Sequence, residues 1–313
     1  SRAIPFNKMV EAIENNPFIP IAWQKSHSGM QGTEYVENKD MIKWNIEMWE
    51  TARDSAIKYA TELTQCDVTK QLANRLLEPF MRTTMLITGS REGWNNFFNL
   101  RCPSYEIPNW NTTFNSWKDV CEEVPMDLET PYLGKAQFNK GQAEIHMMAL
   151  AEAIYDAYNE STPKQLESGQ WHIPFENKMN IPSEDYIKIL GKVILSSEDL
   201  IKIKVKSSVA MAARTSYTIV GEEKEIDYLK MVDLHDRLLA QDPPHSSTLE
   251  HCARAMSNEE HNSYLKGVIE LIDIDEPEYN GGIYEPKFSE KGWCNNFKGF
   301  IPYRYLVDNK VSI

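Results

Sequence analysis

The sequence predicts a mixed α/β (α+β) fold, helices packed on a sheet, in two parts that divide near residue 178. Segments with apolar residues at i, i+3, i+4 and i+7 recur between Pro5 and Tyr158, the period of helices that bury one face. Two short runs, Arg82–Thr88 and Ile201–Lys206, read as strands, the second by its Ile/Lys alternation. After Lys178 the pattern changes, which separates residues 1–178 from a C-terminal mixed α/β extension, 179–313.

Pro5–Asn15 places Phe6, Met9, Val10 and Ile13 on one helical face, with Pro5 suited to the first turn. Pro17–Tyr35 reads as loop. Asp40–Leu63 returns to helix, with Trp49, Ala52, Ala56, Tyr59 and Leu63 as its inward stripe. Val68–Phe80 reads as a helix burying Leu72, Leu76 and Phe80, and Glu92–Arg101 as another that Pro103 stops. The proline-rich stretch 102–140 breaks the rhythm and reads as an insertion, a lid or a mobile segment. Gln142–Tyr158 is helical again, with Met147, Leu150, Ala151, Ile154 and Tyr158 on one face, and Gly169–Phe175 reads as extended. In the extension, Ser183–Leu195 reads as a helix capped by Ser183. Ser207–Ser216 is rich in small residues, and Ile226–Ala240 reads as a helix with Leu229, Val232 and Leu239 inward.

Composition excludes several classes. With 42% hydrophobic and 25% charged residues, 313 residues support a sizeable core. A net charge of −13 argues against a general nucleic-acid binder, so any anion must be held by a local basic cluster. The longest apolar runs are short, such as Val209–Ala213, which predicts no membrane span. Five scattered cysteines without a CxxC make a disulfide framework unexpected and point to a reducing cytoplasm. The histidines show no metal-ligand spacing, and no GxGxxG, P-loop or GxSxG is present.

Two arginines stand out. Arg75, beside the expected apolar stripe, either pairs with Glu78 at i+3 or presents its planar fork to an anionic ligand. Arg101 shares a helical face with Trp94, Phe97 and Phe98; it suits the helix C-terminus on dipole grounds or serves a ligand. Asn95, Asn96 and Asn99 are poor helix formers for one short helix, a pattern that fits a need for amide hydrogen bonds.

As ordered strings, the chain resembles the flavin-dependent thymidylate synthases (the ThyX family), in particular the longer form of phages and some bacteria. The strings are Ser1–Pro5, Asn16–Pro20 with Trp23, Gly29–Gln31, Lys70-Gln71, Asn74–Phe80, Asn96–Arg101, Gln142–Ile145 and Gly169–Pro174. Ala212–Tyr217, His245–Ser247 with Glu250-His251, and Asn296–Phe300 continue them. The resemblance implies methylation of dUMP to dTMP, with methylenetetrahydrofolate as carbon donor, NADPH as reductant and FAD as hydride carrier. It also implies a homotetramer whose active sites draw on several subunits. By the same resemblance Arg2 and Arg75 hold the dUMP phosphate, Arg101 touches the uracil ring and Asn96 lies at the flavin.

The chain departs from the family at Lys140 and Gly141, at Ser90–Gly93 and in the long stretch 102–140. It opens on Ser1, inside the family signature and without Met, which leads to the expectation of a split, spliced or truncated enzyme that needs a separate N-terminal segment. Two other readings compete: a non-catalytic nucleotide-binding or assembly subunit, and a separate interaction module at 178–313.

Overall fold

The computed structural model describes residues 4–29, 32, 34–107, 111–123, 143–215, 226–241, 244, 247–262 and 299–311. The fold is mixed helix and sheet. The chain divides into two compact units, one of residues 1–83 and 94–164, the other of residues 84–93 and 165–313.

In the first unit, α1 (Phe6–Asn15) buries Met9 and Ile13, and Pro5 stands one place before it as the N-cap. These side chains join Ala60, Leu77 and Phe80 in one apolar cluster. Helix α2 (Lys39–Gln65) starts where the Asn38 side chain accepts a hydrogen bond from the Met41 amide at 3.0 Å. Its inward line runs through Trp49, Ala56, Ile57 and Ala60, whereas Ala52 and Tyr59, expected inside, face outward. Two strings far apart in sequence are fastened to each other here. The Phe18 amide donates to the Phe80 carbonyl at 2.7 Å, and the Trp49 indole donates to the Phe18 carbonyl at 2.8 Å.

The helix expected over Val68–Phe80 is corrected. Helix α3 spans only Lys70–Ala73, and 3₁₀ turns at Asn74–Leu76 and Glu78–Phe80 follow. Pro79 has no amide to donate, so the α-helical ladder cannot continue through it. Tightening the turn moves the inward positions to Ala73, Leu77 and Phe80, while Leu72 and Leu76 are 57% and 41% exposed. Arg82–Thr88 forms no strand and carries no regular structure.

Helix α4 (Arg91–Arg101) buries Phe98 against Cys102 and Ala151. The described part of the 102–140 stretch is folded rather than a bare connection. Strand β1 (Tyr105–Glu106) pairs antiparallel with β2 (Thr113–Phe114), α5 (Trp117–Glu123) follows, and Tyr105, Ile107, Phe114, Trp117 and Val120 form a small core. Residues 124–140 lie outside the described residues. Helix α6 (Ile145–Glu160) buries Ile145, Met148, Ala151 and Glu152, so the expected inward pair Met147 and Leu150 is displaced to the surface.

In the second unit, β3 (Trp171–His172), β4 (Ala253–Ala255) and β5 (Phe300–Pro302) form an antiparallel sheet with Trp171 opposite Arg254 and Arg254 opposite Ile301. Helix α7 (Ser183–Leu190) has Pro182 at the N-cap, so Ser183 is its first residue and caps nothing. It stops at Gly191, whose φ of +67 suits a residue without Cβ. The strand expected at Ile201–Lys206 is corrected: it lies within helix α8 (Ser197–Arg214). A reciprocal cap between Ser196 and Asp199 starts this helix, and Lys202 bonds back to Glu198 at 2.8 Å. Ile203, Val205 and residues 207–211 are all buried, so α8 is covered on several faces and its sequence shows no helical stripe. Val205 and Val209 pack on Trp171, Ala253 and Ile301 of the sheet. Helix α9 (Tyr228–Leu239) turns Met231, Val232 and His235 inward and leaves Leu229 exposed.

A polar chain crosses this core. His235, 1% exposed, places Nδ1 2.7 Å from Asp236 Oδ1, and the Tyr303 hydroxyl of helix α10 (Tyr303–Asp308) lies 3.0 Å from its Nε2. Lys206 of α8 pairs with the same Asp236 oxygen at 2.7 Å. Burial holds the His235 imidazole below its ordinary range, against the pull of Asp236, and pushes the Tyr303 hydroxyl up to about 12.

Two outcomes are expected. Leu77→Ala removes a fully buried side chain and lowers the unfolding free energy by about 2–5 kcal/mol, whereas Leu72→Ala stays within about 0.5 kcal/mol, as read by urea denaturation. The unfolded chain protonates its histidines near pH 6.5 while folded His235, and His251 likewise, resist protonation. Stability is therefore full above about pH 6.5 and falls as the pH drops below it. Urea midpoints between pH 7.5 and 5.5 check this, and His235→Gln should flatten the slope; an unchanged slope assigns the loss elsewhere.

Candidate functional site

Arg2 lies outside the described residues. Arg75, Asn96 and Arg101 belong to the first unit and all three are exposed. Arg75 sits on the 3₁₀ turn Asn74–Leu76, between buried Asn74 and buried Leu77. The Asn74 amide nitrogen donates to the Ile4 carbonyl at 3.0 Å, which ties this turn to the residues that lead into α1. Arg75 is thus an exposed fork on a fixed backbone. It does not pair with Glu78, the alternative open from sequence, and meets no carboxylate among the described residues.

Arg101 ends α4, where its Nη1 donates to the Leu100 carbonyl at 3.3 Å. The aromatic face that carries it is well anchored. Trp94 stacks on Phe98 at 5.8 Å between centroids, and Tyr155 and Tyr158 meet Phe98 edge-on at 5.3 Å and 5.5 Å. Asn95, Asn96 and Asn99 occupy the solvent side, so their amides are available rather than locked in the fold. Among the described residues no hydrogen bond joins Arg75, Asn96 and Arg101 to one another.

Apart from Arg214, which donates to Met231 Sδ at 3.7 Å, the described arginines fall into two groups. Arg53, Arg237, Arg254 and Arg304 are each paired with carboxylates, Arg254 through two bonds to Glu260 at 2.7 Å and 3.1 Å. Arg75, Arg82, Arg91 and Arg101 have no carboxylate partner among the described residues, although the chain carries 46 acidic residues against 33 basic ones. Guanidinium groups left in this state, in so acidic a protein, are suited to an added anion.

Sequence reasoning missed three polar centres. Glu144 caps α6 by accepting from the His146 and Met147 amides, and its other oxygen lies 2.6 Å from His146 Nδ1. His146 Nε2 accepts from the Ile21 amide at 3.2 Å, so the dyad fastens the loop before α2 to α6 and has no vacant nitrogen for chemistry. Buried Glu152 accepts from the Trp117 amide at 2.6 Å and from the Tyr105 hydroxyl at 3.2 Å. Its own presence in an otherwise apolar helical face was the only signal in the sequence. The His235 chain had none, because its members come from three helices.

In the second unit His251 lies 3.1 Å from the Thr88 hydroxyl, and burial lowers its pKa. His245 and Cys294 lie outside the described residues. Cys252 is buried with its thiol donating to Ser208 at 3.3 Å, and burial pushes it up to about 12, which leaves it inert as a nucleophile. Among the described residues no group of three or more His, Cys, Asp or Glu is arranged to hold a metal ion. No helix is long and apolar enough to cross a membrane among the described residues.

No protein-family profile, no curated protein and no solved structure matches this chain.

Since Arg75 and Arg101 are exposed and serve no ion pair among the described residues, Arg75→Ala and Arg101→Ala are expected to change the unfolding free energy by no more than about 0.5 kcal/mol. Arg254→Ala, which leaves Glu260 unpaired, should cost about 1 kcal/mol and less at high salt. Denaturation of the three variants in one buffer checks the contrast.

Proposed function

We propose that the first unit binds an anionic nucleotide through exposed, unpaired arginines. More particularly, we propose that the chain acts in flavin-dependent thymidylate synthesis. The net reaction converts dUMP, methylenetetrahydrofolate, NADPH and a proton to dTMP, tetrahydrofolate and NADP⁺.

One observation carries the reading: strings that resemble the family, remote in sequence, are brought together within each unit. In the first unit Asn74 holds Ile4 and Phe80 holds Phe18, and residues just past two further strings meet where His146 accepts from the Ile21 amide. In the second, strand β4, which follows the Glu250-His251 string, pairs with Trp171 and His172 on one side and with Phe300 on the other. A shared order of strings has physical meaning when the strings lie in one framework, by direct bonds in the first unit and through β4 in the second.

Arg75, with Arg2, holds the dUMP phosphate, for which a bidentate guanidinium is the best donor. Arg101 faces the uracil ring and stabilises negative charge as it develops on the pyrimidine. Asn96 presents its amide to the flavin, and its exposed position on α4 leaves it available to do so. The flavin, when bound, carries hydride from NADPH to the one-carbon unit. The protein's own residues position the reactants and set the local field. The assembly is a homotetramer in this reading.

The test is the visible absorption spectrum of the purified chain with added FAD, before and after dUMP. A flavin spectrum that shifts on dUMP addition is expected, with the shift lost or its dUMP midpoint raised at least tenfold in Arg101→Ala and Arg75→Ala. A dUMP complex without any flavin overturns the enzyme in favour of a non-catalytic nucleotide-binding subunit. Absence of both complexes overturns the whole reading.

A further inference from the structure

Helix α2 carries a second stripe that the fold leaves uncovered. Met41, Trp44, Met48 and Tyr59 are 55%, 61%, 46% and 56% exposed, although all four are large and mostly apolar. With Ala52 and Ser55 between them, also exposed, they lie along one side of the helix at steps of three and four. The buried line through Trp49, Ala56 and Ala60 is a different one. From Met41 to Tyr59 the stripe runs about five turns. A soluble helix rarely leaves so large an aromatic and methionine surface in water unless something docks on it.

The distribution of size and charge along the stripe selects the occupant. Its first half is bulky, Met41, Trp44 and Met48, and the middle of its second half is small, Ala52 and Ser55. If a second α2 is laid antiparallel across a two-fold axis near residue 50, Met48 meets Ala52, Trp44 meets Ser55 and Met41 meets Tyr59. Each bulky side chain then has a small or flat counterpart. The flanking charges agree. The same axis sets Asp40 near Lys58 of the other copy, both on the same flank of the stripe. Glu47 comes near Asp54, but Lys43 of its own helix lies 3.9 Å from Glu47 and offsets this repulsion. A parallel pairing would instead put Trp44 on Trp44, Asp40 on Asp40 and Lys58 on Lys58, which charge opposes. A two-fold contact must be complementary to itself, and this face satisfies that requirement in one orientation only.

We propose that the outer face of α2 is the docking surface for a second copy of this chain, helix against helix and antiparallel about a two-fold axis near residue 50. The contact is argued from α2 alone and names no ligand; the proposed homotetramer requires that copies meet but not that they meet on this face. Met41, Trp44 and Met48 supply the apolar centre, and the charge pairs at the flanks fix direction more than strength.

The test uses the full chain and its mass in solution, by light scattering on a sizing column. The wild type should run as an even-numbered assembly, and Met48→Asp should give a particle of half the mass with an unchanged far-ultraviolet circular dichroism spectrum. Asp40→Lys and Lys58→Asp should each raise the dissociation constant several-fold, and the double reversal should restore it. For orientation, Thr51→Cys lies near the axis and should form a 51–51 disulfide, identified by peptide mass. Trp44→Cys should not, because its two copies would stand about 18 Å apart along the helix. A monomeric wild type, an unchanged mass for Met48→Asp, or a 44–44 disulfide overturns the proposal. A monomeric wild type counts against the proposed homotetramer as well, whereas an unchanged mass for Met48→Asp or a 44–44 disulfide rejects this contact alone, which keeps the two failures distinguishable.

Discussion

Both backbone polar groups of Phe18 are bonded to distant segments, and the first unit depends on that arrangement. The amide reaches Phe80 and the carbonyl takes the Trp49 indole, so one residue of the opening loop is fixed to α2 and to the turns after α3. A net contribution of about 1 kcal/mol per hydrogen bond is modest. Leaving either group unmade in a part-buried setting would cost more, so the bonds act chiefly by excluding other arrangements. The aromatic contacts of Trp49 with Phe18, Trp23 and Phe80 surround this point. With Phe80 held, Leu77 points into the core and Arg75, two positions before it, is directed to solvent.

The same placement bears on the proposal that this acidic chain binds an anion. The net charge of −13 sets a repulsive background at long range, but salt screens it over about 10 Å. At short range the balance is local. Carboxylates satisfy the arginines that brace the fold and leave another set unmatched, including those on the 3₁₀ turn and at the end of α4. The separation is a matter of placement rather than composition.

The second unit is organised differently. Its sheet is short, and α8 is buried over much of its surface. Lys206, Asp236, His235 and Tyr303 join α8, α9 and α10 through the core, with a neutral imidazole at the centre. The ring needs a donor on one side and an acceptor on the other, so its neighbours fix its tautomer and orientation. Such a chain is satisfied in one packing of the three helices only, which gives it a role in specificity of the fold.

The sequence alone determined where most helices lie and which local signals start them. Apolar spacing placed α1, α2, α4 and α6, since a stripe at period 3.6 must bury somewhere. Residue order alone also suggested the resemblance and singled out Arg75, Arg101 and Asn96. It could not determine which of several near-equivalent stripes turns inward, because that depends on what packs against the helix. Tyr59 against Ala60, or Met147 against Met148, differ by one step on a helix and only a neighbour decides between them. The Ile/Lys alternation at 201–206 misled for the same reason: a helix covered on several faces has no polar side to display, and Lys204 and Lys206 reach carboxylates that lie elsewhere in the chain. Tertiary structure alone decided that Arg75 and Arg101 meet no carboxylate among the described residues, because pairing is a property of the folded surroundings and not of neighbours in sequence.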